Sequence, residues 1–543
     1  MSIAIQARFR LCHRLMQCFL LTLLILALTS CNGGIESGED DRVLNRGLNG
    51  DPESLDPHHF TSTQAANVLR DIGEGLLGYS ESGELRPGVA ESWEVSPDGR
   101  TYTFFLRPNA KWSNGESLFA RDFVRSFQRL VDPQTASPSA NNIAVVREAQ
   151  SIISGESKPS ELGVLAVGDH KLVVELESRT PYFLQLLTHP STFPVYVNED
   201  AKDESGNVTA EHSVSNGAYV LSNWSPGHLI RLEKNQSYYD NLNVWFDVVN
   251  FHVLAESAEI LRYRAGELDI TGNVDSSYFE SMKETRPTEL RVAPYLGVYY
   301  YGFNLAKPPF ASNRQLRQAL SMAIDRELLV SAVTKRGEVP AYSWVPPGIE
   351  NYEPQELSYK ELAQHAREAE AKRLYAEAGY GPGNQLEIEL RFNTLGGHKN
   401  IAVAIQSMWR DVLGVETTLI NEEFRVLLSN IVAKDVTQVF RLSWTGDYND
   451  PHTFLQLFDS ANPNNLTGYS NSKVDRKLEL AASEGNLESR AVFLSEAERL
   501  ALNDHPVIPL YFFVNKHMVA PSIVGWESNP LDFHYSKHLR RAD

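Results

Sequence analysis

Few residues in this chain stand at spacings that chemistry requires. Gly73-Glu74-Gly75-Leu76-Leu77-Gly78 fits the G-x-G-x-x-G pattern of a dinucleotide-binding turn. That turn needs a strand before it and a helix opening within it, so that backbone N–H groups meet a pyrophosphate. Here the preceding residues, Gln64 to Ile72, read as a helix, and the match is a coincidence of glycines. Ser470-Asn471-Ser472-Lys473 has the S-x-x-K spacing of a serine acyl-transfer site, but the chain holds neither Ser-Asp-Asn nor Lys-Thr-Gly to complete one. His58-His59 is a tempting metal pair, yet adjacent histidines on a strand point opposite ways. There is no Walker A sequence, no H-E-x-x-H and no G-x-S-x-G. All three cysteines, Cys12, Cys18 and Cys31, lie at the N-terminus, so the body has no thiol nucleophile and no Cys-based metal site. No constellation supports catalysis. The chain reads as a non-enzyme with no cofactor, no metal and no catalytic residue.

One thiol does carry a reading. Arg8, Arg10 and Arg14 precede an apolar run, Phe19 to Leu28, that ends in Leu28-Thr29-Ser30-Cys31. The run is short for a membrane span and suits the h-region of a signal peptide. Its end resembles a bacterial lipobox, in which the Cys takes a diacylglyceryl group. We therefore expect a signal peptide over 1–30, a lipidated Cys31, and a polar tether over 31–42. The body would then lie on the periplasmic or extracytoplasmic face, held to a membrane by lipid alone. Asn32 lacks the Asp that usually retains such lipoproteins at the inner membrane, which favours the outer membrane where one exists.

Around these residues, strands and helices mix along the whole chain. Thr101 to Arg107 is aromatic and β-branched and reads as a strand. Over 118–131, Phe119, Phe123, Phe127 and Leu130 recur at helical spacing. Residues 170–176 and 386–392 alternate like strands, as does 415–420. Helices are expected over 313–324, 360–378 and 399–413. The pattern is mixed α/β, with no low-complexity linker in the body. The chain has 543 residues, 42% hydrophobic, with a formal charge of -19. That acidity argues against nucleic acid, whose phosphates need clustered Lys and Arg.

Several blocks then join into one resemblance. Ser54-Leu55-Asp56-Pro57, Glu74-Gly75-Leu76-Leu77, Pro87-Gly88-Val89-Ala90-Glu91-Ser92-Trp93, Lys111-Trp112-Ser113-Asn114-Gly115 and Gln128-Arg129-Leu130-Val131-Asp132-Pro133 form the first part. Ser215-Asn216-Gly217-Ala218-Tyr219, Arg262 to Asp269, Lys307-Pro308-Pro309-Phe310, Trp444 to Pro451 and Ile508-Pro509-Leu510-Tyr511 complete it. Over nearly all of 43–543 the chain resembles the family 5 extracellular solute-binding proteins, and among them the oligopeptide receptors of ABC importers. The resemblance implies a two-lobed periplasmic-binding-protein-like fold, type II and cluster C-like, with three domains and a hinge. Domain I would comprise 43–73, 198–296 and 515–543, domain II 74–197, and domain III 297–514. It implies a monomeric receptor whose partners are short peptides and the permease subunits of an ABC transporter. Murein peptide, metal chelate, haem or sugar are the alternative cargoes.

The resemblance also implies site residues. By itself Asp447, in Asp-Tyr-Asn-Asp-Pro, reads as a turn residue; the family match makes it the partner of a peptide α-ammonium group. Trp444, Thr445 and Gly446 would line the cleft and pair with an extended peptide through the backbone. Arg441 and His398 would face the ligand carboxylate, and Asn273 would contact the peptide. Thr61 and Thr63 would form a cleft edge, with Thr63 pairing through its backbone. Ser139, Gly272, Gly302 and Thr334 depart from the family pattern, and their small size implies a roomier cleft.

Overall fold

The computed structural model describes residues 40–196, 213–349, 351–394, 397–435 and 437–542. Residues 1–43 and 44–543 form two separate units. The described part of the first includes one 3-10 turn, Asp40–Arg42. Cys31 and the apolar run lie outside the described residues. No described helix is long and apolar enough to cross a membrane.

The second unit holds three principal sheets, each with its own core. The first orders its strands as Val43–Leu48, Val248–Val253, Leu229–Lys234 and Tyr219–Ser225. Its inward residues, among them Tyr219, Ile230, Leu232, Val249 and Phe251, pack against Ala65 and Leu69 of the helix Thr63–Ile72. Ser62 starts that helix by accepting the Ala65 N–H at 3.1 Å, which satisfies one of the orphan donors of the first turn.

The second sheet is antiparallel: Ala90–Val95, Thr101–Leu106, Lys171–Glu175, Val164–Ala166. Thr101–Leu106 buries Tyr102, Phe104 and Leu106 and leaves the alternate residues partly open, as period-2 patterning requires. The helix Ala120–Val131 covers it with Phe123, Phe127 and Leu130. Its start is fixed by Asp122, whose carboxylate accepts the Phe119 N–H at 2.8 Å.

The third sheet has six strands in the order Val339–Pro340, Val507–Met518, Leu290–Phe303, Val439–Thr445, Glu387–Asn393, Glu416–Glu422. Glu387–Asn393 runs parallel to both its neighbours. The crossover between it and Glu416–Glu422 is the helix His398–Leu413, bracketed by Gly397 and Gly414 at φ 79 and 71. Both take the left-handed conformation that glycine reaches without Cβ strain.

The strands Leu290–Phe303 and Val507–Met518 link two cores. Leu290 to Pro294 lie opposite Met518 to Val514, and Val298 to Gly302 lie opposite Phe512 to Val507. Between Pro294 and Val298 the register shifts. On one side of that step Leu290 and Met518 join a core with Phe279 and Met282. On the other, Val298 to Phe303 join the core of the third sheet. A bulged step of this kind is a natural place for a strand pair to bend.

The expected elements match. Strands at 101–107, 170–176, 386–392 and 415–420 are found at Thr101–Leu106, Lys171–Glu175, Glu387–Asn393 and Glu416–Glu422. The helices at 118–131, 313–324, 360–378 and 399–413 are Ala120–Val131, Arg314–Met322, Gln364–Glu377 and His398–Leu413.

Candidate functional site

Val439–Thr445 is an interior strand with an unequal pair of edges. Along one edge it pairs with Leu290–Phe303 throughout, from Phe303↔Val439 to Gly297↔Thr445. Gly446 continues that edge by donating its N–H to Leu296 O at 2.8 Å. Along the other edge the ladder with Glu387–Asn393 covers Val439 and Phe440 only. Among the described residues no strand pairs with the 441–445 stretch on that side. Its alternate N–H and C=O groups are therefore offered to an added strand. Thr445 is exposed and Trp444 half-buried against the third core.

Asp447 follows directly. It keeps more than a third of its surface open, and no Lys, Arg or His nitrogen comes within 4.0 Å of its carboxylate among the described residues. Its one side-chain partner is the Thr453 hydroxyl, which donates at 3.5 Å. The surrounding protein lifts its pKa by desolvation, only partly offset by that hydrogen bond. An ammonium group would relieve this directly. Asp447, Gly446, Thr61 and Thr63 line one cavity of about 210 Å³, together with Arg70 and Tyr295.

Arg441 and His398 meet across Tyr299. The Arg441 guanidinium lies over the Tyr299 ring, 4.5 Å from its centroid, and donates to Asn393 Oδ1 at 3.1 Å. Arg441 is 8% exposed, its Nε is buried without a partner, and no carboxylate pairs with it among the described residues. A buried cation in this position is costly until an anion arrives. His398 opens its helix and shares a 3.1 Å hydrogen bond between Nδ1 and Tyr299 Oη. Burial, then the charges of Arg441 and Arg336, push its pKa down to about 4. At neutral pH, His398 offers a neutral hydrogen bond while Arg441 supplies the charge.

The remaining expected residues are more committed. Glu53 holds the 61–62 turn: its carboxylate accepts from the N–H and hydroxyl of both Thr61 and Ser62. Burial works to raise the Glu53 pKa, but these hydrogen bonds hold it down at about 2. Thr63 begins a helix, so its carbonyl belongs to the helix and only its N–H is available to a ligand. Asn273 lines a second cavity, of about 270 Å³, with Thr63, Arg70, Lys516 and His517. Its amide is largely spent, donating to Glu256 at 3.0 Å and accepting from the Val274 N–H at 2.8 Å.

Two departures do not open space. A Cβ on Gly302 would meet the Phe440 ring at 2.4 Å, so that ring already fills the position. A Cβ on Gly272 would meet Gly47 O at 3.0 Å and the Glu259 carboxylate at 3.1 Å. The expectation of a roomier cleft is corrected at both. Ser139 starts the 3-10 turn Ala140–Ile143, and Thr334 donates to Glu338 at 2.9 Å.

Gly73 follows a helix end rather than a strand. His58 and His59 lie in a turn, not a strand: His58 meets Arg129 at 2.6 Å, and His59 meets Thr135 O at 3.0 Å and Asp56 at 3.1 Å. Sequence reasoning overlooked His517, Asp532 and His534, whose donor atoms gather within 4.8 Å and have the make-up of a metal triad. Asp532 binds both rings directly, at 2.9 and 3.1 Å.

Comparison with known proteins decides the family. The model of the bacterial extracellular solute-binding proteins, family 5, matches residues 84–465. The chain belongs to that family. It is 37% identical to the periplasmic oligopeptide-binding protein OppA of Salmonella typhimurium, over 96% of this chain and 97% of OppA. It is also 37% identical to the periplasmic murein peptide-binding protein MppA of Escherichia coli, over 92% and 93%. Among solved structures, the unliganded open form of MppA aligns with a TM-score of 0.84 at 36% identity, covering 92% of this chain and 98% of that one. Haemophilus influenzae OppA in complex with RPPGFSPFR aligns at 0.73 and 34% identity, covering 92% and 99%. The mixed α/β body is therefore the two-lobed solute-binding fold expected from the sequence.

Proposed function

We propose that this protein is an extracytoplasmic receptor that binds short peptides between its lobes and passes them to an ABC importer. One observation carries the reading: among the described residues, Arg441 is a buried cation with no carboxylate beside it, Asp447 is a carboxylate with no cation beside it, and between them runs the 441–445 stretch that no strand pairs on one side. A peptide main chain supplies what each lacks: an ammonium at one end, a carboxylate at the other, and hydrogen bonds between. Arg441 and Thr445 are four strand residues apart, about 13 Å at ~3.3 Å per residue. That span suits an extended ligand of a few residues. Backbone pairing with 444–446 is blind to side chains and suits broad cargo. Relatives named for oligopeptide and murein peptide binding support both cargoes.

The domain division at 296/297 and 514/515 belongs to this reading. Both boundaries fall at the irregular step between Pro294 and Val298 and the strand opposite it, which supports a hinge there. Anchoring of the mature chain through a lipid on Cys31 completes the proposal. Isothermal titration of the purified protein with peptides of two to eight residues tests it. Saturable binding of free peptides, weakened by blocking either terminus, is expected. Equal binding of blocked and free peptides would overturn it.

A further inference from the structure

The second cavity holds two cations that the peptide main chain does not need. Arg70 and Lys516 both line it, and each is only 9% exposed. They come from different parts of the chain. Arg70 projects from the helix Thr63–Ile72, and Lys516 from Val507–Met518, opposite Val292.

Neither is neutralised. Among the described residues no carboxylate lies within 4.0 Å of either. Arg70 donates to Asn67 Oδ1 at 3.0 Å and stacks on Phe533, 3.5 Å from the ring centroid, but its Nε is buried without a partner. Lys516 approaches the Phe279 ring at 5.9 Å and makes no hydrogen bond to a described residue. Burial lowers the pKa of both and outweighs the carboxylates that act on them from a distance, Asp532 on Arg70 among these. Glu338 and Glu256 act on Lys516 only from beyond ion-pair distance.

The cavity wall offers no anion to settle this. Of the residues that line it, Asp532 alone is a carboxylate, and it is occupied by His517 and His534. The other polar wall groups include the amides of Asn67, Asn273 and Asn515, which can hydrogen-bond but cannot neutralise. Arg70 also lines the first cavity, with Asp447, so the two spaces share a wall near the expected ammonium site.

We infer that the cavity between Arg70 and Lys516 is a subsite for a carboxylate carried by a ligand side chain, so that peptides with an internal acidic residue are the preferred cargo. The inference rests on the peptide-receptor reading. A carboxylate there would accept charge-assisted hydrogen bonds from two cations already stripped of water, the arrangement in which such bonds are strongest. A γ-linked glutamyl residue, which leaves its α-carboxylate free as a branch, presents the same group.

The test is a set of tetrapeptides in which Glu replaces Gln at each non-terminal position in turn, titrated calorimetrically into the intact protein. One position should favour Glu by about tenfold or more in Kd. Lys516→Met should shrink that advantage to about twofold and leave the Kd of an uncharged peptide unchanged. Arg70→Met, in a helix that also packs the first core, serves as the second variant. Equal affinity of Glu and Gln peptides at every position would overturn the subsite while leaving the peptide receptor standing. An advantage that survives both substitutions would overturn it too. Failure of every peptide in the set to bind, Glu and Gln versions alike, would overturn the receptor reading and the subsite together.

Discussion

Replacing Asp447 with Asn removes one charge and keeps the shape of the side chain. In the empty protein little is lost, because the carboxylate has a single weak partner, Thr453 at 3.5 Å. In the complex the loss is larger. The carboxylate would be covered by the ligand and would accept from an ammonium in a site where desolvation already raises its pKa. Hydrogen bonds between charged groups contribute about 1.5–3 kcal/mol, and truncating one member of a covered pair costs ~2 kcal/mol or more. We therefore expect Asp447→Asn to raise Kd by roughly 30- to 150-fold for a peptide with a free amino group. An N-acetylated peptide should lose a similar factor against wild type, and the two losses should not add, since both remove one interaction.

The pH dependence has a definite sign. Burial raises the pKa of Asp447 in the empty protein, and a neighbouring ammonium lowers it in the complex, so binding releases a proton as pH falls toward that raised value. Affinity should drop on acidification through this range, and Asp447→Asn should abolish that part of the slope. Calorimetry of the four protein–peptide combinations at two pH values reads all of these effects. Equal loss on acetylation in wild type and Asp447→Asn would refute the ammonium assignment, whatever the absolute affinities.

Three further outcomes follow from the same geometry. Arg441→Met should weaken peptides with a free C-terminal carboxylate and leave their amides nearly unchanged, as read by calorimetry. Burial lifts the Glu259 pKa to about 8 from an ordinary 4.5. Its contribution to stability is therefore complete below about 4.5 and lost as pH rises through 8, and Glu259→Gln should flatten the decline in urea denaturation between pH 5 and 8.5. Cys31→Ser should abolish incorporation of labelled fatty acid and move the protein from the membrane to the soluble fraction.

Much of the fold was legible because its signals are local. The alternation in Thr101–Leu106 and the Phe123-Phe127-Leu130 stripe each report one buried face. The helix before Gly73 was enough to dismiss a nucleotide turn. The candidate site is suggested in the sequence only through resemblance: Asp447 sits in a turn-like string, and nothing nearby marks the edge of Val439–Thr445 that no described strand pairs beyond Phe440. That edge exists because Glu387–Asn393 stops pairing after Phe440, a fact of tertiary register. The Arg70–Lys516 cavity joins segments more than four hundred residues apart, and neither residue has a local signature. Reading Gly272 and Gly302 as vacancies failed because the Glu259 carboxylate and the Phe440 ring occupy the space a side chain would need.

The central claim is tested most directly by native mass spectrometry of the protein purified gently from its own cells. A ladder of adducts at peptide masses, erased by Asp447→Ala, is the predicted result. A single adduct of non-peptide mass, unaffected by Asp447→Ala, would contradict the account.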